Sequence, residues 1–187
     1  MKSIVKWSSY LLISTSTLVA QNAIEERNKN IKQVELFYNT AEKAFRNGDL
    51  KGATEAIRSA LQINPKHGKS IALYRNMKSG GGERVVLALR KRTFSNVIVP
   101  LIDFDEMDFR GAIKQLSEIV MKESNNKVIP NFVIQDRHKR FEKVKINLTL
   151  RNVPAGDVLT HIISEANATV NFGKYSTVIR PRSSSSK

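Results

Sequence analysis

The run Ser79-Gly80-Gly81-Gly82 interrupts every hydrophobic period in the chain and separates two different patterns. Before it, apolar residues recur at helical spacing; after it, segments of strand and helix character alternate. Three successive glycines carry too much backbone freedom to be favoured inside a regular element. The run therefore predicts a flexible linker over 79–96, about which two small units pivot. Within it, Glu83 to Thr93 reads as a short helix whose basic end, Arg90-Lys91-Arg92, is a solvated face. A chain of 187 residues is long enough for two such units.

In the first unit, 31–78, the apolar residues fall in two helical runs. Phe37, Ala41, Ala44 and Phe45 form one; Ala53, Ile57, Ala60 and Leu61 form the other. Asn47-Gly48-Asp49 between them is a turn signal, and Pro65 closes the second run, so an antiparallel helical hairpin is expected. Small Ala41 and Ala53 stand where the helices must approach closely, with Ala60 and Pro65 following. In these positions the segment resembles a tetratricopeptide (TPR) repeat, departing from it at Thr40 and Ala44. Ser70 to Met77 would supply the capping helix that a lone repeat needs.

Beyond the linker, Val97 to Phe104 reads as a strand. Asp108 to Glu123 reads as an amphipathic helix with Phe109, Ala112, Ile113, Leu116, Ile119 and Val120 inward, and Asn131 to Gln135 as a second strand. Val144, Ile146, Leu148 and Leu150 alternate with Lys145, Asn147, Thr149 and Arg151, the period of a strand with one buried face. Pro154 opens a second helix striped by Val158, Leu159, Ile162, Ile163 and Ala166. Thr169 to Phe172 and Thr177 to Arg180 form a closing hairpin around Gly173-Lys174. The expected fold class is α+β, with the order β-α-β-β-α-β-β over 97–181 and a single small sheet.

The phrase Leu150-Arg151-Asn152-Val153-Pro154, followed by Asp157-Val158-Leu159, resembles the core of the short N-terminal domain shared by bacterial secretins and TonB-dependent signal-transducing receptors. The likeness extends upstream to DFRGAIKQLSEIV and downstream to TVNFGKYSTVI. It implies a periplasmic docking module that meets partner proteins through sheet edges and helix faces. The partner so implied is an envelope protein, such as a secretin or outer-membrane receptor component. The N-terminus fits that setting: Lys2 and Lys6 precede the apolar stretch Tyr10 to Ala20, the pattern of a secretory signal over 1–20. Cleavage is expected after Ala20, with Ala23 as a second candidate and an uncleaved anchor as the alternative. The chain is thus expected to be exported, periplasmic or envelope-associated. Serine-rich 182–187 is expected to be a disordered tail.

No cysteine is present, so packing must stabilise the fold without disulfides. The histidines, His67, His138 and His161, have no carboxylate or serine partner at a recognised motif spacing. This predicts no enzyme, no metal site, no cofactor and no small-molecule substrate. Asp103, Asp105, Glu106 and Asp108 lack the glycine and distal glutamate of a calcium loop; Asp108 reads instead as a helix N-cap. Gly80-Gly81-Gly82 lacks the lysine and hydroxyl residue of a phosphate loop.

The formal charge of +14 favours encounter with anionic partners. The densest basic stretch is DRHKRFEKVK, and the expected partner-binding residues are Arg137, Lys139, Arg140, Lys143 and Lys145, together with Arg151. Aromatic platforms of an RNA-recognition fold and the glycine loop of a KH module are missing. Two functions remain: protein docking, and weak, salt-sensitive attraction to DNA or an anionic envelope polymer.

Overall fold

A computed structural model describes the backbone of residues 5–183 and the side chains from Val19 onward. The expected export signal therefore lies largely outside the described side chains, and Ser184 to Lys187 of the expected tail lie outside the described residues. The chain is of α+β class and divides into two compact units, which meet between Gly82 and Glu83.

The N-terminal unit is helical. Helix α1 runs Val5–Arg46, so the apolar stretch expected as a signal and the first helix of the hairpin share one element. Gly48, at φ 77°, makes the turn, and Asp49 caps α2 (Leu50–Ile63) by accepting from the Gly52 N–H. Ala41 of α1 and Ala53, Ile57 and Ala60 of α2 are fully buried. These small side chains let the two backbones approach, as the spacing predicts. Helix α3 (Gly68–Asn76) adds Leu73 and Tyr74 to the same core.

The glycine run is not coil. Met77–Gly81 is a kink between two helices, with Ser79 (φ −84°, ψ 23°) and Gly80 (φ 89°, ψ 0°) outside helical geometry, and Gly82–Ser95 is a helix, α4. Nor does the C-terminal unit begin at 97. Phe94 is buried among its core residues, its ring meeting Phe132 at 5.7 Å and Phe172 at 5.8 Å. Burial of a ring of this size draws the preceding helix into the unit. The expected linker over 79–96 is corrected accordingly.

The rest follows as β1 (Ile98–Asp108), α5 (Phe109–Glu123), β2 (Phe132–Ile134), β3 (Lys145–Pro154), α6 (Ala155–Glu165), β4 (Ala168–Phe172) and β5 (Thr177–Pro181). One sheet was expected, and the strands form two. β1 pairs antiparallel with β3; the other sheet has the order β2-β5-β4, with β2 parallel to β5. The two helices pack on each other and touch both sheets, enclosing one core that includes Phe109, Leu116, Ile146, Val158, Ile162 and Ile179. Asp108 caps α5 through the Gly111 N–H, as its position before the apolar stripe predicts.

Two irregularities shape the β1–β3 ladder. The register slips by one residue between Phe104 and Met107, where Glu106 takes φ 48° and exchanges hydrogen bonds with Asn147. Asn152 sits at φ 53° inside β3, just before Val153-Pro154 turns the chain into α6. The helix then starts against α4: a Cβ on Gly156 would lie 2.7 Å from the Cβ of Ser95. Among the described residues no helix is long and apolar enough to cross a membrane.

Candidate functional site

The basic loop after β2 is organised by one carboxylate. Asp136 accepts from the backbone N–H of Arg140 at 2.9 Å and of Phe141 at 2.8 Å, closing the loop on itself. Phe141 then points inward and stacks on Phe109 with centroids 4.3 Å apart, so it is a core residue and offers no surface for stacking a base. Burial pushes the Asp136 carboxyl up, but the Phe141 and Arg140 N–H groups and the charges of Arg110 and Arg140 outweigh it. The group settles below the ordinary carboxylate range.

With Phe141 anchored, the basic side chains on either side of it face solvent. Arg137, His138 and Arg140 join Arg180 from the end of β5 in lining a cleft of about 330 Å³, with Gln135, Asp136 and Pro181. Arg140 donates from both terminal nitrogens to the Arg182 carbonyl, at 3.2 and 3.1 Å. Arg180 donates from Nε to Gln135 Oε1 at 2.7 Å.

The remaining expected partner-binding residues are not part of this cleft. Lys139, at φ 56°, pairs with Glu142 at 3.1 Å, an exposed contact worth little. Lys143 and Lys145 are exposed but do not line the cleft. Arg151 lies opposite Leu101 in the other sheet, about 20 Å along β3 from Lys145 at the usual rise per residue. Arg180, Gln135 and His138 line the cleft without being among the expected binding residues. Their meeting depends on the Ile134↔Ile179 register of β2 and β5, a pairing that no local pattern announces.

A second cleft of about 440 Å³ opens at the opposite ends of these strands. Phe94, Phe172, Val128 and Pro130 are among its apolar lining, and Arg90, Lys127 and Lys174 are its charged residues, with no acid among the lining residues. Arg90 donates to the carbonyls of Gly173 and Tyr175, fixing the β4–β5 turn. The Arg90-Lys91-Arg92 end of α4 is therefore not wholly a solvated face. The Lys174 ammonium lies over the Tyr175 ring, and the bond to Tyr175 raises the Lys174 pKa. Ile129 and Tyr175, both lining residues, are 55% and 73% exposed, and Val133 on the adjacent edge strand is 41% exposed.

The acidic run has structural partners. Asp103 accepts from the Thr149 hydroxyl at 2.7 Å, Glu106 pairs with Asn147, and Asp108 caps α5. Among the described residues no group of three or more histidines and carboxylates is disposed to hold a metal ion. His161 is exposed on α6.

His67 differs from its expected isolation. Its Nδ1 lies 2.8 Å from Ser70 Oγ and its Nε2 3.5 Å from Glu35 Oε1, a carboxylate-imidazole-hydroxyl chain assembled by α1 and the start of α3. The hydroxyl belongs to a fully buried serine, so no substrate carbonyl reaches it. The chain instead ties the α2–α3 turn to α1, and hydrogen bonding to Lys69, helped by His67, lowers the Glu35 pKa despite partial burial. Comparison with protein-family models, curated proteins and solved structures finds no match.

Proposed function

We propose that the chain is an exported, non-enzymatic docking subunit of a bacterial envelope complex, which recognises another protein through the margin of its three-stranded sheet. One observation carries this reading. Exposed Ile129 and Tyr175 line a cleft with an apolar floor and a cationic rim, and exposed Val133 stands on β2, a strand paired on one side only. Single exposed apolar side chains are ordinary; a group of them beside a concave surface and an unpaired edge suits a peptide or strand of a partner.

We read 31–78 as a TPR-like hairpin capped by α3, and the C-terminal unit as similar to the secretin and TonB short N-terminal domain. The order of elements, β-α-β-β-α-β-β from Ile98 to Pro181, is compatible with that reading. The basic and apolar N-terminus supports export, and the burial of Ser70 supports a non-enzymatic role.

The test is a pull-down from envelope extracts with the full chain and with its Tyr175→Asp and Ile129→Asp variants. Recovery of a secretion, pilus or receptor component by the wild type, lost in both variants, is the expected result. Recovery of none by the wild type contradicts the reading.

A second reading is attraction to an anionic polymer, favoured by the formal charge of +14 and by the basic cleft beside β5. Retention on heparin against salt tests it. Indifference to replacing Arg137, Lys139, Arg140, Lys143 and Lys145 together removes it.

A further inference from the structure

We propose that the cleft between the loop after β2 and the end of β5 is a discrete site for one tetrahedral oxyanion, a phosphate or sulfate group. The proposal rests on the second reading for the sign of the ligand's charge. It differs in requiring a single saturable site rather than a diffuse field.

Four basic side chains, Arg137, His138, Arg140 and Arg180, line this cleft, and the only acid among its lining residues is Asp136. That carboxylate is already committed, since it accepts the N–H groups of Arg140 and Phe141. Among the described residues, Arg137, Arg140 and Arg180 form no ion pair with a carboxylate. Three guanidinium groups and one carboxylate, Asp136, thus share one concavity, which keeps an excess of positive charge. Holding like charges together in this way is unfavourable until an anion enters.

Two of the guanidinium groups are also held in place. Arg180 spends its Nε donor on Gln135 and keeps both terminal nitrogens free of that bond; Arg140 is fixed by the Arg182 carbonyl and retains donors beyond those it uses there. A guanidinium fork matches two oxygens of a phosphate or sulfate at once, and a fork already held loses less freedom on binding. The adjacent Lys143 and Lys145, by contrast, lie outside the cleft and contribute only to the general field.

Amide chemical shifts of the full chain, titrated with inorganic phosphate at constant ionic strength, test the site. The expected result is a saturating change confined to 135–140 and 180–182. Arg180→Gln weakens binding about tenfold or more, the loss of one charge-assisted contact. The double variant Lys143→Gln/Lys145→Gln removes more charge and leaves the affinity essentially unchanged. Arg137→Gln, at an exposed loop position, gives a second probe if Arg180→Gln disturbs the fold. Shifts that never saturate, or a double variant as weak as Arg180→Gln, overturn the site. Sedimentation with phosphatidylglycerol vesicles in a phosphatidylcholine background separates the sources. Binding lost in Arg180→Gln identifies a lipid headgroup, whereas saturable phosphate binding without vesicle binding identifies a soluble phosphate. Heparin retention of the triple variant Lys139→Gln/Lys143→Gln/Lys145→Gln, which touches no residue lining the cleft, tests the diffuse reading apart from this site.

Discussion

Truncating Phe94 to alanine tests whether α4 belongs to the C-terminal unit. The side chain is 3% exposed and its ring contacts Phe132 edge-on at 5.7 Å and Phe172 at 5.8 Å. Removing a buried phenylalanine costs about 3–5 kcal/mol through lost transfer energy and the cavity left behind. Two aromatic contacts place Phe94→Ala toward the upper part of that range. Against a domain stability of roughly 5–15 kcal/mol, this is a large fraction. Amide hydrogen exchange at Leu116 and Ile162 reads the opening of this unit separately from the helical one, because both lie in its core. The expected result is faster exchange at both positions, by an amount equivalent to at least about 3 kcal/mol. A loss below about 0.5 kcal/mol, the usual cost at a solvated position, would contradict burial of this ring in the unit and restore the segment to a linker.

Gly156→Ala places a methyl group 2.7 Å from the Ser95 Cβ and is expected to cost about 1–3 kcal/mol by overpacking, with Ser95→Gly restoring part of the loss in a urea titration of the double variant. Asn152→Val is expected to cost about 1–2 kcal/mol because φ is 53° there, whereas Asn152→Gly is tolerated, again read by urea unfolding. The Asp136 carboxyl titrates below its ordinary 3.8, so it stabilises the fold above that pH and the contribution disappears as pH falls through the lowered folded value. Carboxyl carbon shifts should show that low midpoint, and Asp136→Asn should flatten the acid limb of the stability profile; a midpoint at or above the ordinary value contradicts the loop geometry.

Helices α5 and α6 were legible because cap and stripe coincide: Asp108 precedes Phe109, Ala112, Ile113 and Leu116, and Pro154 precedes Val158, Leu159 and Ile162. The buried face of β3 was legible at Ile146 for a similar reason, since alternation is a local property. Division of the strands into two sheets was not, because β2 has only three residues and its partner β5 lies more than forty residues away. Membership of α4 was hidden as well: the glycine run at 80–82 and the basic run Arg90-Lys91-Arg92 precede Phe94 and together read as solvated linker. Helix α1 extends well before the expected hairpin through polar residues such as Glu25, Glu26, Arg27 and Asn28, which carry no apolar stripe to announce it. The basic cleft was half visible. Arg137 and Arg140 stand in a conspicuous run, but Arg180 joins them only through strand pairing.

In the proposed function the apolar margin of the three-stranded sheet receives a partner protein. Photo-crosslinking residues placed at 129, 133 and 175 of the full chain in living cells test it most directly, with 114 and 118 on the exposed face of α5 as controls. One discrete adduct with an envelope protein is expected from the first three positions, and none from the controls. Adducts of equal yield from both sets, or from neither, would contradict it.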